Sequence, residues 1–93
     1  MTAYYIGQHD IADDAAFADY LRQTMPFIAK HGGRYLTKAG THEMLEGKPP
    51  SRVVIVEFPS KQAIKDWYSD PGYRPLIEKR HRAARSTMIA VEG

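Results

Sequence analysis

Hydrophobic and polar positions along the chain switch between a period of two and a period near 3.6, and each switch marks the edge of a predicted element. The stretch TAYYIG is short and rich in tyrosine and isoleucine, which suits a first strand. HDIADDAAFADYLRQTMPFIAKHGG then sets Phe17, Leu21, Thr24 or Met25, and Ile28 at helical spacing, with Asp13 and Asp14 where acidic side chains favour a helix start. Pro26 falls inside this helix and removes one backbone hydrogen bond, so a kink near its end is expected. Gly32 follows the last periodic residue and is expected to close the helix at positive φ, beside the basic pair Lys30 and His31. Gly33 opens a strand over GRYLTK, where its missing side chain allows close approach of a neighbouring backbone or a ligand.

The turn-rich AGTHEMLEGKPPS follows, with a short strand expected around His42 to Leu45 and a stiff loop from Gly47 to Ser51. RVVIVEFPS has the clearest strand pattern, with Val54, Val56 and Phe58 on one face and Val53, Ile55 and Glu57 on the other. Ser60 is a good N-cap for a second helix with an Ile64, Trp67 and Tyr68 stripe, and SDPGY breaks it. Pro75 suits the first turn of a third helix, which sets Leu76, Ile77, Arg80 and Ala84 on one side and Arg74, Glu78, Arg82 and Arg85 on the other. STMIAVEG closes the chain as a strand.

This order predicts an α+β, ferredoxin-like βαββαβ fold: a four-stranded antiparallel sheet with every helix on one face. The opposite face would expose Val53 and Ile55, and no element is left to cover it. Burying roughly several hundred Å² there at about 25 cal/mol per Å² is worth several kcal/mol, so a homodimer packed sheet on sheet is expected.

Composition narrows the function classes. The 93 residues suit a single domain, 1–93, and no apolar run approaches the roughly 20 residues of a membrane span. The N-terminal MTAYYIGQHD lacks the pattern of a signal peptide, so a cytoplasmic location is expected. Without cysteine there is no disulfide, thiolate nucleophile or zinc finger. A net charge of +2 is too weak a field to argue for nucleic acid, and the one basic cluster, RPLIEKRHRAAR, reads as a solvated helix face. His9, His31, His42 and His81 show no metal-ligand spacing, and no phosphate loop or dinucleotide fingerprint is present, so neither a metal nor a cofactor is expected.

Candidate chemistry rests on a few polar residues. Glu57 is a carboxylate in an otherwise apolar strand and needs a base such as Arg34 or Arg52, or a ligand, nearby. It is the candidate general base, with His31 as a second proton carrier. Arg34 or Arg52 could hold a small carboxylate in the planar guanidinium fork, and Tyr35 lies on the face opposite Arg34. Trp67 is expected in the core, with Tyr68 and Tyr73 lining a cleft. Each has a plain structural alternative: a strand-end hydrogen bond for Glu57, a surface ion pair for Arg34, a helix-end charge for His31, core packing for the aromatics.

GGRYL, the EMLEG of Glu43 to Gly47, PSRVVIVEFPS from Pro50 to Ser60, WYSDPGY from Trp67 to Tyr73, Arg80 and the terminal VEG together resemble the domain-of-unknown-function family DUF1330. The resemblance runs over nearly the whole chain, departing at Lys38-Ala39-Gly40, where the family often ends the strand with a glycine pair. It implies the dimeric α/β-barrel superfamily and brings no established activity. Folds of that superfamily serve small monooxygenases, muconolactone-type isomerases, haem-degrading enzymes and binding proteins, which is analogy of fold only. Two functions are therefore carried forward. One is a cofactor-independent monooxygenase- or isomerase-like enzyme with a small aromatic or carboxylate ligand beside the sheet. The other is a non-catalytic dimeric module that binds a metabolite or protein.

Overall fold

In the computed structural model, which describes Met1–Gly93, the elements are β1 (Ala3–Ile11), α1 (Asp14–Lys30), β2 (Arg34–Thr37), β3 (Arg52–Phe58), α2 (Lys61–Tyr68), α3 (Arg74–Ala83) and β4 (Ala84–Glu92). The strands pair antiparallel in the order β2-β3-β1-β4, the ferredoxin-like arrangement expected from the pattern. No helix is long and apolar enough to cross a membrane.

Local chemistry sets the helix ends. Asp13 caps α1 by accepting from the Ala16 amide at 3.0 Å, and Ser60 caps α2 by accepting from the Ala63 amide at 3.0 Å. Gly32 closes α1 at φ +82°, as expected, which lets the Gly33 amide reach the Ile28 carbonyl at 2.9 Å. The helix continues through Pro26 to Lys30 and buries Phe17, Tyr20, Thr24 and Ile28. Tyr20 takes the place expected for Leu21 because its hydroxyl meets that of Tyr73, 2.7 Å away.

Three stretches differ from the sequence expectation, Ala84 and Arg85 among them, which belong to β4 and not to α3. β1 does not stop at Gly7 but runs to Ile11, because β4 starts at Ala84, directly after α3, and pairs with it along the whole length. The Ala83 carbonyl accepts from the amides of Ala12 and Asp13, which fastens the end of α3 to the start of α1. No strand forms from His42 to Leu45. That segment belongs to the loop between β2 and β3, closed where His42 Nε2 donates to the Pro50 carbonyl at 2.7 Å.

Strand alternation gives the sheet two unlike faces. Ala3, Tyr5, His9, Val54, Val56 and Phe58 are buried beneath the helices, where Trp67 and Tyr73 stack with ring centroids 4.5 Å apart. The opposite face carries a row in which Ile55 pairs with Ile6 and Ile6 with Ile89, and Ile89 is 55% exposed. The bare apolar face predicted from the strand pattern is therefore present.

Candidate functional site

The extension of β1 past Gly7 creates the most unusual chemistry in the molecule. Tyr5, Gly7 and His9 share the helix-covered face, and His9 is 1% exposed. A Cβ on Gly7 would stand 2.4 Å from Tyr5 Oη and 2.6 Å from His9 Nε2. Glycine is thus what lets these two side chains lean together, at 3.5 Å, over the middle of a strand. The other ring nitrogen, His9 Nδ1, lies 2.7 Å from Ser86 Oγ on β4. Burial, reinforced by the cations of Arg80 and Arg52, lowers the His9 pKa to about 4, so the imidazole is neutral near pH 7. Burial drives the Tyr5 hydroxyl far above its ordinary range, and it stays protonated.

Of the two cations that add to the effect of burial on His9, Arg80 acts more strongly. It lies on α3, 3% exposed, with no carboxylate among its ion-pair partners. Its Nη1 donates to the thioether sulfur of Met88, a weak acceptor, Nη2 faces His81 Nε2 at 3.3 Å, and Nε has no partner. A buried guanidinium without an anion is costly, and this one is left with poor acceptors.

Beside it, between α2 and the β4 edge, opens a cleft of about 500 Å³. Tyr5, Ile64, Trp67, Tyr68, Met88, Ile89 and Ala90 form its apolar walls, with Lys65 and Ser69 at its polar margin. Trp67 Nε1 is a second buried donor without a partner. Met88 is the shared element: its side chain lines the cleft and its sulfur occupies an Arg80 donor. An unbranched thioether moves readily, so a ligand oxygen could displace it and reach the guanidinium. The site suits a flat molecule with an acidic oxygen.

The sequence-predicted residues fall in several places. Glu57 and Arg34 are cross-strand neighbours within one chain, 3.3 Å apart on the face away from the helices, with side chains 32% and 71% exposed. Arg52 lies on the opposite face, where Nη1 donates to the Lys38 carbonyl at 3.2 Å and the guanidinium sits 5.5 Å from the Phe17 ring centre. Arg34 and Arg52 therefore do not meet at one site. Tyr35 packs against the core under Lys38, and burial raises its hydroxyl pKa. His31 Nε2 bonds Asp70 Oδ2 at 2.7 Å, with Lys30 Nζ on the same oxygen at 2.9 Å, so it fastens the end of α1 to the turn between α2 and α3. These hydrogen bonds, His31 first, together with the Gly72 amide, hold the Asp70 carboxyl well below the usual range. Gly33 clears space for Ile28 and Phe58 of the protein itself, not for a ligand. Tyr73 is wholly buried in the core and lines no cleft, while Tyr68 does line one. No group of three His, Asp or Glu side chains converges as a metal site would require.

Nothing in the local pattern of the chain marks Ser86 or Tyr5 as chemistry, or His9 as more than one of four scattered histidines. Helical spacing does place Arg80 on the apolar side of α3, and an arginine on a buried stripe is the available signal. The burial of His9 follows from the continued alternation of Tyr5, Gly7, His9 and Ile11, hidden because the Asp-rich segment looks like helix.

The family model described as a domain of unknown function, DUF1330, matches residues 2–93. The RPA0582 protein of unknown function from Rhodopseudomonas palustris is 24% identical and superposes with a TM-score of 0.77, over 99% of this chain and 82% of that one. SnoaB from Streptomyces nogalater, a cofactor-independent oxygenase, is 17% identical with a TM-score of 0.75, over 99% and 92%. A dimeric ferredoxin-like protein of unknown function from Jannaschia sp. CCS1 is 12% identical with a TM-score of 0.67, over the whole of both chains. At these identities the likeness is one of fold. No curated protein matches the chain.

Proposed function

The chain belongs to the DUF1330 family, and from that premise we propose that it binds a small planar aromatic molecule bearing a phenol, enol or carboxylate in the cleft between α2 and β4. The observation that carries this reading is Arg80, a buried cation with no carboxylate partner behind the movable Met88 wall of an apolar cavity. The ligand's oxygen would take the guanidinium in place of the thioether and gain a charge-assisted hydrogen bond. The aromatic ring would lie against Trp67 and Tyr68, where the orphaned Trp67 Nε1 offers a second donor.

Such a site favours the anionic form of a weak acid, and forming that anion is the first step of both an isomerisation and an oxygenation without a cofactor. The fold neighbour SnoaB, a cofactor-independent oxygenase, supports the second possibility by analogy. The dimeric ferredoxin-like neighbours support a homodimer, and the open apolar sheet face is the surface it would bury.

The test uses 4-nitrophenol, whose phenolate is coloured. Binding should shift the probe toward phenolate. Arg80→Met should lower its affinity roughly 10- to 100-fold, the worth of one hydrogen bond to a charged group, without lowering thermal stability, since an unpaired buried charge has gone. Equal affinity in the variant removes Arg80 from the site.

A further inference from the structure

The cleft is not the only depression that the Tyr5 and His9 pair reaches. Where α3 meets β4, a second, polar depression of about 470 Å³ is lined by Ser86 together with His81, Arg82 and Arg85. Tyr5 lines the apolar cleft, Ser86 lines the polar depression, and His9 touches both side chains through its two ring nitrogens, 3.5 Å from Tyr5 Oη and 2.7 Å from Ser86 Oγ. We infer that Tyr5, His9 and Ser86 form a proton relay that carries a proton from the ligand cleft to the solvent-open depression on the other side of the buried histidine.

The chemistry of each member fits its position. A neutral imidazole has one N–H and one lone pair, so it can accept at one nitrogen while donating at the other, which a charged imidazole cannot do. His9 faces Phe17 from α1, Arg52 from β3, Arg80 from α3, Ser86 from β4 and Tyr5 from its own strand. The ionisable groups among these neighbours are two cations and a tyrosine held protonated, so nothing near His9 stabilises its charged form.

The steps balance. A ligand O–H gives its proton to Tyr5 Oη as the tyrosine proton passes to His9 Nε2. The Nδ1 proton passes to Ser86 Oγ, and the serine proton passes to water in the depression. One ligand anion and one hydronium result, no group changes oxidation state, and His9 ends in the other tautomer. Passage of a proton back along the same path, from water through Ser86 Oγ to Nδ1 and from Nε2 through Tyr5 Oη to the ligand anion, restores the first tautomer and resets the chain. Gly7 is the structural condition, since any side chain there would drive Tyr5 and His9 apart.

This inference rests on the cleft reading for its ligand, and the experiment separates the two. Solvent exchange of the Tyr5 hydroxyl proton and the His9 ring N–H is followed by NMR in the ligand-free protein and with 4-nitrophenol filling the cleft, each rate normalised to the Val54 amide. Ser86→Ala should slow both side-chain exchanges at least about tenfold, Ser86→Thr should keep the wild-type rates, and filling the cleft should leave exchange in the wild type intact. Equal rates in wild type and Ser86→Ala, or exchange abolished when the cleft is filled, overturn the relay. Failure of 4-nitrophenol to bind would instead overturn the cleft reading, while the ligand-free rates still decide the relay.

Discussion

Arg34 and Arg80 carry the same guanidinium into opposite surroundings. Arg34 stands on the open face of the sheet, largely in water, with the carboxylate of Glu57 opposite it across two strands. Arg80 is enclosed under the helices with a thioether, a histidine nitrogen and an aromatic ring for company. The paired arginine is the one solvent could have served anyway. The unpaired one is the one that needs an anion. Charge pairing seen in a structure is therefore a poor guide to function here, because a screened surface pair contributes little, whereas an enclosed charge without a partner maintains a cost that only a ligand would offset.

The contrast would narrow if a second copy covering the open face also reached Arg34 and Glu57 beside the β2 edge. Ile89→Arg tests this at the exposed β4 end of the Ile55, Ile6 and Ile89 row. Wild-type protein is expected to scatter light as twice the 10.5 kDa chain and the variant as the single chain, the largest effect foreseen here. A wild-type mass of 10.5 kDa at micromolar concentration would leave the open face without its occupant.

A smaller effect sharpens the enclosed side. His9 binds its proton with a pKa of about 4 when folded and 6.5 in its ordinary state, so between those values the unfolded chain holds more protons. Stability from this group is thus complete above pH 6.5 and is lost as pH falls toward about 4. The loss should be on the order of 1–2 kcal/mol once solvent screening is discounted. Urea unfolding of His9→Gln should show a flatter profile over that window. Asp70 acts lower on the scale, because its carboxyl is depressed from 3.8 and its contribution disappears in more acid solution.

The smallest expected change is at the paired surface arginine. Glu57→Gln should shift stability by less than about 1 kcal/mol and leave 4-nitrophenol affinity at the wild-type value. A large drop in affinity would return Glu57 to the candidate site and erase the distinction between the two arginines.

Much of the fold was legible along the chain because its signals are local. Asp13 and Ser60 announce helix starts, Gly32 a helix end, and the Val54, Val56 and Phe58 alternation a strand with one buried face. The candidate site was less legible. Glu57, Arg34 and His31 stood out as polar residues beside apolar or glycine-rich stretches, yet their partners are ordinary ion pairs and hydrogen bonds. Of the ligand contacts expected from the sequence, Tyr68 is the one that the cleft contains.

By itself, then, the sequence determined the order of elements, the unlike faces of the sheet and the presence of an arginine on the buried side of α3. Those properties follow from periodicity, capping and propensity, each decided within a few residues. Only the tertiary structure decided that Arg80 has no carboxylate, that His9 is enclosed beside it, and that Ser86, 77 positions away, reaches the histidine. Which charges meet, and which are left alone, depends on the register in which β1 zips against β4 and on the packing of α3 over it, neither of which any local stretch encodes.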